Sequence, residues 1–126
     1  METRVPAGNV WFLIDPREGA PNGGPSITVW AAVDGRDVQL LRFDCFHRGP
    51  HYHYDPGGRN ERHQLDDTRA ADSIGWTLSR LRGHLGPMIE EASYPSVAQA
   101  LDALAIERAV ADVADHLLAE RQGEKG

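Results

Sequence analysis

Residues 26–46, SITVWAAVDGRDVQLLRFDCF, decide the fold, because two runs of strand-forming residues flank an Asp34–Gly35 pair. β-branched and aromatic residues favour strands. Asp-Gly between two such runs is typical of a tight hairpin turn, because glycine adopts a positive φ without steric cost. We therefore predict two antiparallel strands, over Ser26–Val33 and Val38–Phe46.

The same reading extends to both sides of this hairpin. The apolar run Val10–Ile14 precedes it, and the alternating segment His51–Asp55 and the weaker Glu61–Leu65 follow it. Glycine and proline cluster between these runs, which is typical of turns. The first half of the chain therefore predicts an antiparallel β-meander.

The second half changes to a helical period. Apolar residues from Ile74 to Met88 recur every three or four positions, with Asp72 as the expected N-cap and Pro87 as a break. A last helix is expected over Pro95–Arg121. We predict an α+β fold: a meander of four to five strands (residues 10–66) covered by two to three C-terminal helices (residues 72–121), in a single domain, 1–126, with flexible ends at 1–9 and 122–126.

Composition narrows the class of protein. The chain has 126 residues, of which 40% are hydrophobic, as in an ordinary globular domain. No apolar run approaches the roughly 20 residues of a membrane span, and the N-terminus has no apolar signal-peptide core. Cys45 is the only cysteine, which excludes an intramolecular disulfide and fits a reducing compartment. We expect a cytoplasmic protein that does not contact a membrane.

Charge argues against a general nucleic-acid-binding protein. The net charge is −6, whereas such proteins usually carry a basic surface. Residues 42–69 are neutral, with five arginines and five acids, and they hold four of the six histidines. A local contact between this segment and the phosphates of RNA stays open, although the net charge disfavours it.

A histidine cluster follows if Arg48–Pro50 is a three-residue hairpin loop. His47 then lies opposite His51, and Cys45 lies opposite His53. Cross-strand neighbours are about 4.5–5.5 Å apart at Cβ, so several of the four side chains could converge on one ion.

This set suits a borderline-soft transition metal. Zinc takes imidazole and thiolate ligands in a tetrahedron, and copper or iron also accepts imidazole. The predicted metal ligands are Cys45, His47, His51 and His53, with His63 able to join from the next strand. The alternative is that these residues are structural or lie at an interface.

A second arrangement uses the opposite face of the same hairpin. There Arg42, Asp44, Tyr52 and Tyr54 would form a polar surface that orients a substrate while a nearby histidine transfers protons. The alternative is an exposed charge pair of little consequence. The candidate catalytic residues are His51, His53, Asp44 and Arg42.

One string of residues carries a family resemblance. Phe43-Asp44-Cys45, followed by Pro50-His51-Tyr52-His53-Tyr54, resembles a pattern in small bacterial proteins of unknown function, some of which are described as toxin-like partners in toxin–antitoxin modules. The similarity covers residues 38–66. It implies an intracellular bacterial protein with Arg42, Asp44, His51 and His53 on the shared strands, and it assigns no activity.

Three hypotheses follow. The first is a His/Cys ligand-binding site on a β-hairpin, for zinc or another transition metal. The second is a metal-independent, ribonuclease-like toxin that uses His51 or His53 as acid and base and holds phosphate with Arg42 or Arg48. The third is a non-catalytic protein that forms a homodimer or binds a protein partner through its C-terminal helices.

Overall fold

A computed structural model describes residues 2–17, 21, 23–66 and 72–125, with side chains up to residue 117. The chain forms one six-stranded antiparallel sheet in which each strand pairs with the next along the sequence. The strands are β1 (Thr3–Ala7), β2 (Val10–Asp15), β3 (Ser26–Val33), β4 (Arg36–Asp44), β5 (His51–Tyr54) and β6 (Glu61–Gln64). The predicted α+β class and the meander are confirmed, with one more strand than expected.

The additional strand is β1. Residues 3–7, which we expected to belong to a flexible end, pair with β2 from Thr3–Ile14 to Ala7–Val10. Val5 and Ala7 face the core while Arg4 and Pro6 face outward. Only two apolar side chains enter the core, and Pro6 is typical of an edge strand, so the sequence signal for a strand is weak here.

The central hairpin forms as the sequence predicts. Asp34 and Gly35 both have positive φ, 51° and 77°, as a two-residue hairpin turn requires. The register of β3 and β4 shifts between Val29 and Trp30, so that Leu40 is an extra residue in β4. This β-bulge increases the local twist of the sheet next to the histidine-bearing strand.

Four helices follow the sheet: α1 (Ser73–Gly83), α2 (Leu85–Glu91), α3 (Pro95–Gln99) and α4 (Ala103–Lys125). Asp72 caps α1 as predicted, by accepting a hydrogen bond from the Gly75 amide at 2.9 Å. The expected single helix over Pro95–Arg121 is wrong, because the chain breaks after Gln99. Asp102 starts a new helix there, and its side chain accepts from the amide of Ala105.

The helices pack against one face of the sheet, which carries Phe12, Val29 and Phe43 into the core. Side chains alternate between the two faces of each strand, so the intervening positions lie on the other side. We call that side the open face; it carries Thr28, Trp30 and Arg42, all half-buried. None of the helices in the described part of the chain combines the length and apolarity needed to cross a membrane.

Candidate metal centre

The register between β4 and β5 determines which side chains meet. Asp44 pairs with His51 and Arg42 pairs with His53, so the loop between the strands has six residues. The predicted register, with His47 opposite His51, is wrong by three residues. A shift by an odd number of residues exchanges the two faces of a strand. Arg42 and Asp44 therefore share the open face with His51 and His53.

The loop between β4 and β5 is long because its first residues form backbone hydrogen bonds with residues 23–25 and not with β5. The amide of Cys45 donates to the carbonyl of Pro25 at 2.9 Å, and the amide of His47 donates to the carbonyl of Gly23 at 3.2 Å. Gly24 permits this close approach, because a Cβ there would lie 2.2 Å from the Cys45 carbonyl oxygen. The segment after Asp44 thus continues alongside residues 23–25 and does not pair with β5.

Asp44 is the centre of the cluster and its side chain is only 2% exposed. Its Oδ1 accepts a hydrogen bond from the Ser26 hydroxyl at 2.5 Å and one from Nε of Arg42 at 2.7 Å. Its Oδ2 faces two imidazoles, with Nε2 of His51 at 2.8 Å and Nε2 of His53 at 3.5 Å. One carboxylate oxygen is therefore held by donors while the other is directed at both histidines.

His51 carries a ring proton whose position is fixed by the backbone. Its Nδ1 lies 2.8 Å from the carbonyl oxygen of Gly49, and because a carbonyl can only accept, Nδ1 must carry a proton. In a neutral ring Nε2 then has a lone pair, and that lone pair points at Asp44 Oδ2. Two acceptor atoms 2.8 Å apart repel each other unless a proton lies between them or a metal ion is bound to both.

His53 is the second imidazole of the cluster, and its side chain is 14% exposed. Burial lowers its pKa below the ordinary histidine value, and the carboxylate of Asp44 opposes the shift only in part. The ring is therefore neutral at physiological pH, which is the protonation state that a metal ligand needs. Its edge packs against His51, with ring centroids 5.0 Å apart.

The separations of the donor atoms fit a metal ion. Asp44, His51 and His53 each offer one ligand atom, and these atoms all lie within 4.8 Å of one another. Zinc lies about 2.0–2.2 Å from nitrogen and oxygen ligands, so two ligands of a tetrahedron are about 3.3–3.6 Å apart. The distance of 3.5 Å between Asp44 and His53 lies in that range, and the distance of 2.8 Å between Asp44 and His51 is shorter.

The structure brings together only part of the predicted ligand set. Within the described residues, one group of three or more histidine, cysteine or acidic side chains lies close enough together to hold a metal ion, and it consists of Asp44, His51 and His53. Cys45 is buried on the helix side, where its Sγ lies 3.3 Å from the hydroxyl of Thr77, and His47 is exposed.

His63 and the two tyrosines also lie on the helix side. The ring of His63 stacks on Tyr52 and packs edge-on against Tyr54, beside a cavity of about 360 Å³. Tyr52 and Tyr54 therefore do not share a face with Arg42 and Asp44, contrary to the second predicted arrangement. Burial raises the pKa of Tyr54 to about 12.

The sequence does not predict the roles of two residues in this site. Asp44 was a catalytic candidate but not a metal ligand, although the correct register would have placed it beside His51 and His53. The sequence pattern indicates no role for Ser26. Its partner Asp44 is 18 residues away along the chain, and a serine at the start of a strand carries no signal of such a contact.

A cavity of about 650 Å³ adjoins the cluster. Arg42 and His53 lie at its wall together with Trp30 from β3. Further lining comes from the turn after β5, at Asp55 to Asn60, and from Tyr94 between α2 and α3. The cluster thus has access to a space of the size that small-molecule ligands occupy in proteins.

A family model described as a domain of unknown function, DUF7700, matches residues 4–117, which covers the sheet and most of the helical layer. No curated protein and no solved structure matches the chain.

Proposed function

The chain belongs to the DUF7700 family of domains of unknown function, and we propose that its Asp44, His51 and His53 bind a divalent transition metal ion, with zinc as the first candidate. Two imidazoles and one carboxylate are a ligand set typical of metal sites that keep a position open for a further ligand. A metal held there would supply Lewis acidity to a molecule in the adjacent cavity.

The observation that carries the proposal is the contact between His51 and Asp44. The Gly49 carbonyl fixes the proton on Nδ1, which leaves Nε2 facing a carboxylate oxygen at 2.8 Å. Histidines that bind metals commonly donate their other N–H to a backbone carbonyl in this way. The ligating carboxylate is also supported, since Ser26 and Arg42 hold its other oxygen.

A second candidate function uses a proton where the first uses a metal. If His51 is an imidazolium, it forms an ion pair with Asp44, and the neutral His53 beside it could accept a proton from a substrate. Arg42 favours this reading, because its positive charge at 2.7 Å from Asp44 opposes the double charge of a metal ion more strongly than the single charge of an imidazolium. This is the metal-independent acid–base site of the ribonuclease-like hypothesis.

The third hypothesis, a partner bound through the helices, has less support. Among the described side chains, Leu104 is the only large apolar one that is exposed. A binding surface for a protein partner usually contains a cluster of apolar or aromatic side chains.

Zinc binding by the protein purified without a histidine tag tests the proposal. We expect a single zinc ion per chain, measured by elemental analysis and by titration against a chromophoric chelator. Loss of a residue that only supports a ligand costs about 10–100-fold in affinity, so His53→Ala should cost at least about 100-fold.

The chain offers matched controls for this experiment. His63→Ala removes an imidazole from the other face of the sheet, and His47→Ala removes an exposed one, so both should bind zinc like the wild-type protein. No zinc uptake by the wild-type protein would contradict the proposal. RNA cleavage by the metal-free protein, abolished in His53→Ala but kept in His63→Ala, would support the acid–base site instead.

A further inference from the structure

We infer that the cavity beside Arg42 and His53 binds a small organic monocarboxylate with a planar apolar body. The inference deepens the proposed function and rests on it, since the carboxylate would complete the coordination of the metal. It starts from the charge of the cluster. Asp44 and Arg42 already neutralise each other, so a divalent cation adds two positive charges that no acidic side chain of the cluster balances.

Buried charge is costly unless it is paired. The three ligand residues are at most 14% exposed, so solvent cannot fully compensate a bound divalent ion. Metal sites of this kind keep a position for water or substrate. An anionic ligand in that position would reduce the excess charge, which makes an anion the favoured class of ligand.

Arg42 provides a second contact for such an anion. Its Nε is engaged with Asp44, and in the described part of the chain its guanidinium has no other hydrogen-bond partner. Its side chain is 39% exposed and lines the cavity. The remaining N–H groups form the planar fork that binds carboxylates in a bidentate manner.

The apolar part of the ligand is inferred from Trp30 and Val38, which also line the cavity. The indole Nε1 of Trp30 donates to the hydroxyl of Thr28 at 2.7 Å, so the ring is held in place. A fixed aromatic ring is a good surface for a planar apolar group, because stacking adds to the area that is buried.

The rest of the cavity disfavours a second negative charge. Asp37 and Asp55 line it, and both oxygens of Asp55 are already engaged, by the Tyr94 hydroxyl at 2.6 Å and by the Arg59 amide at 2.9 Å. A dicarboxylate or a phosphate dianion would bring a second negative charge toward these carboxylates, which repel it more strongly than they repel a single charge. A monocarboxylate is therefore the class that fits both ends.

Calorimetric titration of the zinc-loaded protein with four probes tests this inference. Benzoate carries both the carboxylate and the planar body, acetate lacks the body, benzyl alcohol lacks the charge, and inorganic phosphate carries the excess charge. Benzoate should bind at least about tenfold more tightly than each of the other three, because only it uses Arg42 and Trp30 together.

Arg42→Gln should weaken benzoate binding at least about tenfold. Arg62→Gln is the matched control, because Arg62 pairs with His53 on the same face but does not line the cavity. Equal affinities for benzoate and benzyl alcohol, or an unchanged affinity in Arg42→Gln, would overturn the inference.

Zinc affinity is measured separately for each variant, so the two proposals can fail independently. Zinc binding without benzoate binding overturns only the carboxylate inference. If the wild-type protein takes up no zinc, the proposed function fails, and the same titration on the metal-free protein then decides the inference. If the metal-free protein binds benzoate and the binding depends on Arg42, the carboxylate site is supported without a metal. If it does not bind benzoate, the carboxylate inference is overturned together with the proposed function.

Discussion

The two faces of the β4–β5 hairpin differ sharply although their residues alternate along the same strands. The helix-covered face carries Phe43, which belongs to the core, and Tyr52, which packs against the core and stacks on Phe43 with ring centroids 6.2 Å apart. The open face carries Asp44, paired with His51, in a buried polar cluster. The hairpin thus supports the fold on one side and presents the candidate site on the other. Changes to the first face should affect stability, and changes to the second should affect ligand binding.

The largest effect is expected on the covered face. Phe43 is 1% exposed and also contacts Trp76, with ring centroids 6.1 Å apart. Phe43→Ala should lower the free energy of unfolding by about 3–5 kcal/mol, through lost burial and the cavity that remains. Urea denaturation of the metal-free protein measures this. A loss smaller than that of Ser26→Ala would show that the two faces are not divided as described.

A smaller effect on stability, together with an effect on binding, is expected for Ser26→Ala. The variant removes the 2.5 Å hydrogen bond to Oδ1 of Asp44 and leaves Arg42 as the remaining donor to that oxygen. We expect a loss of about 1–3 kcal/mol in the free energy of unfolding, and about tenfold weaker zinc binding. Urea denaturation and a zinc titration of the variant measure these two effects. An unchanged zinc affinity would show that Ser26 does not support the metal ligand.

The division between the two faces can be predicted from the sequence only as far as the register between β4 and β5 can. Five of the six strands, the Asp34–Gly35 turn and the Asp72 cap follow from local chemistry, and the sequence predicts them, whereas it does not predict β1. The six-residue loop after Asp44 depends on backbone hydrogen bonds to Gly23 and Pro25, about 20 residues earlier in the chain, which no local pattern reveals. The sequence therefore predicts His51 and His53 in one site, but with Cys45 and His47 as their partners where the structure has Asp44.

Cys45 tests the comparison of the two faces at a residue on the helix-covered side. Its Sγ lies among buried groups near Thr77, so Cys45→Ala should cost about 1 kcal/mol of stability, a typical value for a single substitution. Zinc affinity should not change, because the ligand group does not include Cys45. Chelator competition with this variant gives the answer, and a tenfold or larger loss of zinc affinity would restore the thiolate as a ligand.

The smallest effect is expected at Tyr94, which contacts the end of β5 through Asp55. Burial, and then the hydrogen bond to Asp55, raise the pKa of Tyr94 to about 12. The folded state thus favours the neutral phenol, so its stabilisation is present below about pH 10, the unperturbed tyrosine pKa, and is lost as the pH rises toward 12. Over this pH range the free energy of unfolding should therefore fall more steeply for the wild-type protein than for Tyr94→Phe. Equal slopes would contradict the assignment.

The state of the histidine nitrogens during a zinc titration tests the central claim most directly. Long-range ¹H–¹⁵N correlation spectra distinguish protonated, unprotonated and coordinated ring nitrogens. In excess zinc we predict that His51 keeps its proton on Nδ1 and shows a coordinated Nε2, that His53 also shows one coordinated nitrogen, and that His63 is unchanged. A His51 ring that remains protonated at both nitrogens in excess zinc would show that a proton, and not a bound metal ion, joins it to Asp44.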